Sequence, residues 1–126
     1  MNKQPWLLLF AMALIIAAQL AAASTSNKWR LQFSGGANSD GTIVIRLSPK
    51  EGEALEAAVD IEDGRSENGV AKDVVSGLKE QVGDRFHVER DDGEDVLIKK
   101  RRGNSNFGVE VISNTVKGVR INLDRE

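Results

Sequence analysis

The side chains that most often carry enzyme chemistry are scarce in this sequence. The chain of 126 residues contains one histidine, no cysteine and no tyrosine. Without cysteine there are no disulfides, no thiolate metal ligands and no cysteine nucleophile, and one histidine cannot supply the paired imidazoles of most zinc sites. The sequence therefore favours a non-enzymatic role, with a hydrolase that uses two carboxylates as the alternative.

The single histidine, His87, lies between Arg85 and Glu89 in an alternating segment, so the three side chains share one face of a predicted strand. A histidine base needs a nucleophile and an orienting carboxylate within reach, and only Glu89 is close in sequence. We expect an ordinary surface histidine. Ser66 misses the Gly-x-Ser-x-Gly pattern at the last position of residues 64–68 and fits a helix cap instead. The sequence thus predicts no catalytic residues.

Two acidic clusters surround glycine turns, one at Gly64 and one at Gly93. Their members are Asp60, Glu62, Asp63 and Glu67, and then Asp91, Asp92, Glu94 and Asp95. Calcium takes six to eight oxygen ligands, but neither cluster has the spacing of an EF-hand loop. Strand ends and hairpin tips also collect Asp, Glu and Gly for turn chemistry alone. We expect no metal and no other cofactor, with calcium as the alternative.

One basic run, Lys99-Lys100-Arg101-Arg102, stands out in an otherwise acidic chain. In a strand only alternate side chains share a face, so Lys99 and Arg101 are expected to stand together, with Arg85 across a hairpin. These three residues are named the basic row. Such a row suits an anionic partner, for example lipid headgroups, lipopolysaccharide or an acidic protein. Alternatively, it protects a strand edge from aggregation.

The N-terminal segment resembles a secretory signal peptide. Lys3 provides a positive start, residues 7–18 are apolar, and residues 21–23 are three alanines that match a cleavage site. We predict cleavage after Ala23, with an inner-membrane anchor formed by residues 7–23 as the alternative. The cleaved product, residues 24–126, keeps 16 basic and 19 acidic side chains, a net charge of −3. A bacterial periplasmic or secreted protein fits this cysteine-free sequence, and a nucleic-acid binder does not.

Three strands are predicted before the only helix. Trp29, Leu31 and Phe33 alternate with polar residues, and the alternation resumes over residues 42–47, so the two strands are expected to pair through a long loop. A third strand is predicted over residues 54–62, after a turn that runs from Pro49 to Gly52. The competing prediction is a helix that begins with a capping box at Ser48.

The helix is predicted over Glu67–Val82, with Ser66 as its N-cap and Gly83 at the C′ position. After it, a three-residue hairpin loop with Gly93 in the left-handed region is expected to place Val88 opposite Val96 and Phe86 opposite Ile98. Two further strands lead to the end of the sequence, and the last four strands are predicted to form a meander.

The element order is therefore three strands, one helix and four strands. It predicts a single small α+β domain over residues 24–126, with the helix packed on one mostly antiparallel sheet of six to seven strands. The segment from Val59 to Val111, with its Gly-x-Ser helix start followed by Phe-x-Val and Val-x-Ile strands, resembles a strand–helix–hairpin module of phage tail structural proteins. This resemblance implies the fold only.

Together these features predict a small exported domain that works by binding or by assembling with another component of the bacterial envelope. Its partner is expected to be an envelope protein or an anionic surface component, and the basic row is the predicted binding surface.

Overall fold

The computed structural model describes residues 24–126, which fold into seven strands and one helix. The strands are β1 Lys28–Ser34, β2 Gly41–Pro49, β3 Leu55–Ile61, β4 Phe86–Asp91, β5 Asp95–Lys100, β6 Phe107–Asn114 and β7 Arg120–Arg125, and the helix, α1, spans Glu67–Val82. The predicted α+β class and element order are confirmed. The predicted signal peptide lies outside the described residues.

The strands form two antiparallel sheets instead of the predicted single sheet. A four-stranded sheet has the order β4-β5-β1-β7, and a three-stranded sheet has the order β3-β2-β6. The prediction that β1 pairs with β2 is therefore wrong, since β1 pairs with β5 and β7. The predicted meander is wrong as well, because β6 joins β2 while β7 returns to β1.

The loop between β1 and β2 carries the chain from one sheet to the other. Its backbone is bonded elsewhere: Ala37 N donates to Arg65 O at 2.8 Å, and Asn38 N donates to Lys117 O at 2.8 Å. Gly35 has a positive φ of 86°, and a Cβ atom there would collide with Gly118 O. Because these contacts fix the course of the loop, β1 and β2 do not form a hairpin and belong to different sheets.

Helix α1 closes one side of the core. Ser66 Oγ accepts a hydrogen bond from Gly69 N at 3.0 Å, which confirms the predicted N-cap. Its apolar stripe packs chiefly against β3 and β4 and contains Val70, Ala71, Val74, Val75, Leu78 and Val82. Gly83 ends the helix as predicted, but as a C-cap in the right-handed region rather than a left-handed C′ residue.

The β4–β5 hairpin has the predicted three-residue loop, because Asp91 pairs with Asp95, and Gly93 has a positive φ of 75°. Its register differs from the prediction: Val88 lies opposite Ile98, and Phe86 opposite Lys100. A shift of two residues preserves the inward face, since side chains alternate with a period of two. All four predicted core side chains of this hairpin are therefore buried.

Two predictions between β2 and α1 have different outcomes. The strand predicted over residues 54–62 is confirmed as β3, so the alternative helix beginning at Ser48 is wrong. The predicted turn starts too early, because β2 extends through Pro49, which lies opposite Phe107, the first residue of β6. Proline is tolerated there because the pairing of β2 with β3 already ends at Leu47 and Leu55.

Candidate functional site

The basic run emerges where β5 leaves the core. Val96, Leu97 and Ile98 are buried, and the next residues, Lys99 and Lys100, are half-buried at the end of the strand. Because β5 lies between β4 and β1, Lys99 has a neighbour on each side. These neighbours are His87 on β4 and Lys28 on β1. Two lysines directly opposite each other repel, so the arrangement needs compensating charge.

Carboxylates on the outer strands supply that charge. Lys99 Nζ lies 2.8 Å from Glu89 Oε1, and Lys28 Nζ lies 3.6 Å from Glu126 Oε1. The hydrogen bond from Lys99 holds the pKa of Glu89 below its usual value. Both ion pairs are partly accessible to solvent, so each contributes little to folding stability.

The three members of the basic row have different surroundings. Arg101 Nη2 donates to Gly83 O at 2.6 Å, so it satisfies a carbonyl at the C-terminal end of α1. Arg85 precedes β4 and lines a separate cavity of about 200 Å³ with Glu51 and Ser105. The binding role of the basic row stays a prediction.

A different group of cations lines one shallow depression beside the basic row. The depression has a volume of about 400 Å³, and its lining contains no carboxylate. We name it the cationic depression; its residues are Asn27, Lys28, Lys99, Lys100 and Arg102. Only Lys99 belongs to the predicted row. Lys100 and Arg102 stood in the same basic run, whereas Lys28 joins them only through the β1–β5 register.

The free charge of the cationic depression comes from Lys100 and Arg102. Within residues 24–126 neither side chain forms an ion pair, and Arg102 is exposed. Lys28 and Lys99 remain accessible as well, with side chains 34% and 39% exposed. An anion bound here therefore contacts four cationic groups, and two of these groups have no carboxylate partner within residues 24–126.

The opposite situation occurs around Arg30, in the same sheet. Its Nη1 atom lies 2.6 Å from Asp95 Oδ2 and 3.1 Å from Asp91 Oδ2, while its Nε atom lies 3.0 Å from Glu126 Oε2. These four residues are named the arginine cluster. The hydrogen bonds that Arg30 donates to Glu126, Asp95 and Asp91 raise the pKa of Arg30, and Arg30 in turn lowers the pKa of Glu126. All three carboxylates are thus directed at one guanidinium.

Burial distinguishes the arginine cluster from an ordinary surface ion pair. The side chain of Asp95 is only 8% exposed, and its Oδ1 atom has no hydrogen-bond partner. Leu97, directly opposite Arg30 in the register, is buried although it lies outside the main apolar core. The cluster therefore covers an apolar side chain on the outward face of the sheet.

The other candidate residues belong to neither region. His87 is exposed on β4, directly opposite Lys99, and does not line the cationic depression. Of the acidic cluster at Gly64, Asp60 accepts from Thr42 Oγ1 at 2.9 Å, and Glu67 accepts from Gly35 N at 2.8 Å, so both make structural contacts. Over residues 24–126, no three His, Asp or Glu side chains are grouped as a metal site would require. Calcium stays a prediction.

Comparison with protein-family models gives no match for this chain, and neither does comparison with curated protein sequences. In the part of the chain that the structure describes, no helix is both long and apolar enough to cross a bilayer.

Proposed function

We propose that residues 24–126 form an exported, periplasmic, non-enzymatic binding domain of the bacterial envelope, which holds an anionic surface component in the cationic depression. The observation that carries the proposal is the lining of the depression, which has four cationic side chains and no carboxylate. Residues 24–126 as a whole have a net charge of −3. Positive charge that is concentrated against the overall charge of a domain indicates recognition of an anion.

The state of the individual cations supports this proposal. Lys100 and Arg102 carry charge that no described carboxylate neutralises. The ion pairs of Lys28 and Lys99 are partly accessible to solvent, and exchanging such a pair for an anionic ligand costs little. Arg102 adds a planar donor group, which suits phosphate oxygens. A phosphate-bearing envelope component, such as an anionic lipid headgroup, fits these donors.

The export route rests on the N-terminal pattern. If cleavage follows Ala23, the secreted form begins at Ser24, and N-terminal sequencing of the periplasmic fraction gives Ser-Thr-Ser as its first residues. Recovery of the chain with Met1 in the membrane fraction would instead establish the anchored alternative.

Binding is tested by cosedimentation of residues 24–126 with vesicles. Phosphatidylglycerol mixed into phosphatidylcholine is the anionic probe, and pure phosphatidylcholine is the neutral reference. The double variant Lys100→Gln/Arg102→Gln removes the two unpaired cations without changing residue polarity. At about 1 kcal/mol per cation near an anionic surface, the variant binds roughly 30-fold more weakly than the wild type. Binding of the wild type weakens as salt rises.

The matched control is a second double variant that removes the same number of positive charges elsewhere on the surface. Lys72→Gln/Lys117→Gln also removes two exposed lysines without ion pairs in the described chain, but on α1 and on the β6–β7 connection. We expect this control to bind like the wild type. Equal loss in both double variants would mean that only net charge matters, and the cationic depression would then not be the binding site.

A further inference from the structure

The four edge strands of the two sheets differ in how they are protected. Strand β3 has a cover, because the Gln81 side chain of α1 accepts from Ala58 N at 3.1 Å and donates to Ala58 O at 2.8 Å. Strand β4 is flanked by α1, and β6 contains an irregularity opposite Val44 and Ile45. Within residues 24–126, strand β7 pairs with β1 on one side and has no strand on the other. Its register is regular throughout, so in the described part of the chain β7 has none of the three devices that protect β3, β4 and β6.

The free side of β7 exposes a defined set of backbone groups. Glu126 N donates to Lys28 O at 3.0 Å, which shows that the even-numbered residues of β7 bond to β1. Since bonding direction alternates along an antiparallel strand, the N–H and C=O groups of Ile121 and Leu123 point away from β1. Both side chains are only partly buried against the core. An incoming strand would thus find free backbone groups and apolar contact together.

The side chains of β7 are self-complementary when two copies of the strand run antiparallel. With Asn122 opposite Asn122 of a second copy, Arg120 faces Asp124 and Ile121 faces Leu123, each twice by symmetry. Arg120 and Asp124 then lie on one face of the joined sheet, and Ile121 and Leu123 lie on the other. This register also makes Ile121 and Leu123 the hydrogen-bonded pair, which agrees with the direction of their free backbone groups.

The two charged residues of this pairing, Arg120 and Asp124, have no ion-pair partner in the described part of the chain. Both side chains are exposed. The edge strand β3 lacks this complementarity, because antiparallel self-pairing centred on Ala58 sets Glu56 against Asp60.

We propose that β7 is a homodimerisation edge, at which a second copy of this chain pairs antiparallel about Asn122 and joins the two four-stranded sheets into one continuous sheet. The contact is independent of the cationic depression. Because pairing two edge strands buries little surface, the dimer is reversible and forms as concentration rises.

Sedimentation velocity over a range of protein concentrations tests the dimer through charge exchange. Arg120→Asp places two carboxylates opposite each other in both symmetric pairs, and we expect the dissociation constant to rise about tenfold. The double variant Arg120→Asp/Asp124→Arg restores opposite charges, so its dissociation constant returns to within about twofold of the wild type. Lys117→Asp, a reversal of the same sign outside the strand, leaves dimerisation unchanged.

Amide hydrogen exchange tests the register separately. The N–H groups of Ile121 and Leu123 gain protection as protein concentration rises, because they become bonded only in the dimer. The N–H of Asn122 is protected at every concentration, since it bonds to β1. Three results would each overturn the proposal. The chain could stay monomeric at all concentrations, or the double variant could fail to regain the dissociation constant of the wild type. The third result is an amide exchange rate at Ile121 and Leu123 that does not change with protein concentration.

Discussion

Two regions of the four-stranded sheet use cations in opposite ways. In the arginine cluster, Arg30 is held by three carboxylates, and one of them, Asp95, is nearly buried. In the cationic depression, Lys100 and Arg102 have no ion-pair partner among residues 24–126. The neighbours of a cation therefore decide its role. A guanidinium surrounded by carboxylates stabilises the fold, whereas unpaired cations remain available to a ligand.

The largest expected effect follows from removing Arg30. Arg30→Met leaves three carboxylates without their shared cation, including Asp95, whose side chain is 8% exposed. We expect the free energy of unfolding to fall by about 3 kcal/mol, measured as a lower urea midpoint. The control is Arg46→Met, because Arg46 also contacts two carboxylates, which are 46% and 49% exposed. Its expected loss is at most about 1 kcal/mol. Equal losses would remove the distinction between buried and exposed clusters.

The pH dependence of stability sharpens the same comparison. Arg30 lowers the pKa of Glu126, and Lys99 lowers the pKa of Glu89, each from a usual value of 4.5. A carboxyl group with a lowered pKa in the folded state stabilises the fold fully above its unfolded pKa. That contribution is lost as pH falls below 4.5 toward the folded pKa. We therefore expect thermal stability to decline in acid.

In Arg30→Met the contribution of Glu126 to this acid decline becomes smaller, because only Lys28 still lowers its pKa. The variant therefore loses less stability between neutral and acidic pH than the wild type. Thermal unfolding followed at several pH values measures the difference. An unchanged slope in the variant would show that Arg30 does not set the titration of Glu126.

The smallest expected effects separate the cap at the helix end from the ligand-binding cations. Arg101→Gln loses the charged contact with Gly83 O at the end of α1, and we expect a loss of about 0.5–1 kcal/mol. Lys100→Gln/Arg102→Gln removes two charges but changes stability by less than about 0.5 kcal/mol. Urea unfolding measures both. If the double variant were the less stable protein, its cations would be structural rather than free for binding.

The local features of the fold could be predicted from the sequence because their causes lie within short segments. The helix Glu67–Val82 carries its own apolar stripe and its cap at Ser66. Strand β3 follows from alternation alone. The hairpin loop was recognisable by Gly93, although its register was displaced by two residues. Such a displacement leaves the burial pattern unchanged, so the alternation of apolar residues does not report it.

The candidate site was predictable only in part. The run from Lys99 to Arg102 is visible in the sequence, but its division between Arg101 at the helix end and Lys100 in the depression depends on where α1 ends in space. The arginine cluster was missed. Arg30 is 61 residues from Asp91 and 96 residues from Glu126 along the chain, so no spacing rule connects them.

The helical or strand character of each segment follows from the amino-acid sequence, since helical and strand periodicities are set by neighbouring side chains. The charge contrast between the basic run and the rest of residues 24–126 follows from it too. The three-dimensional fold is needed to know which strands share a sheet, which lysine faces Lys28, and which carboxylates contact Arg30. Strand pairing joins distant segments through backbone groups that every residue possesses. The partner of each strand is therefore chosen by the packing of the whole core, and not by the alternation of side chains within that strand.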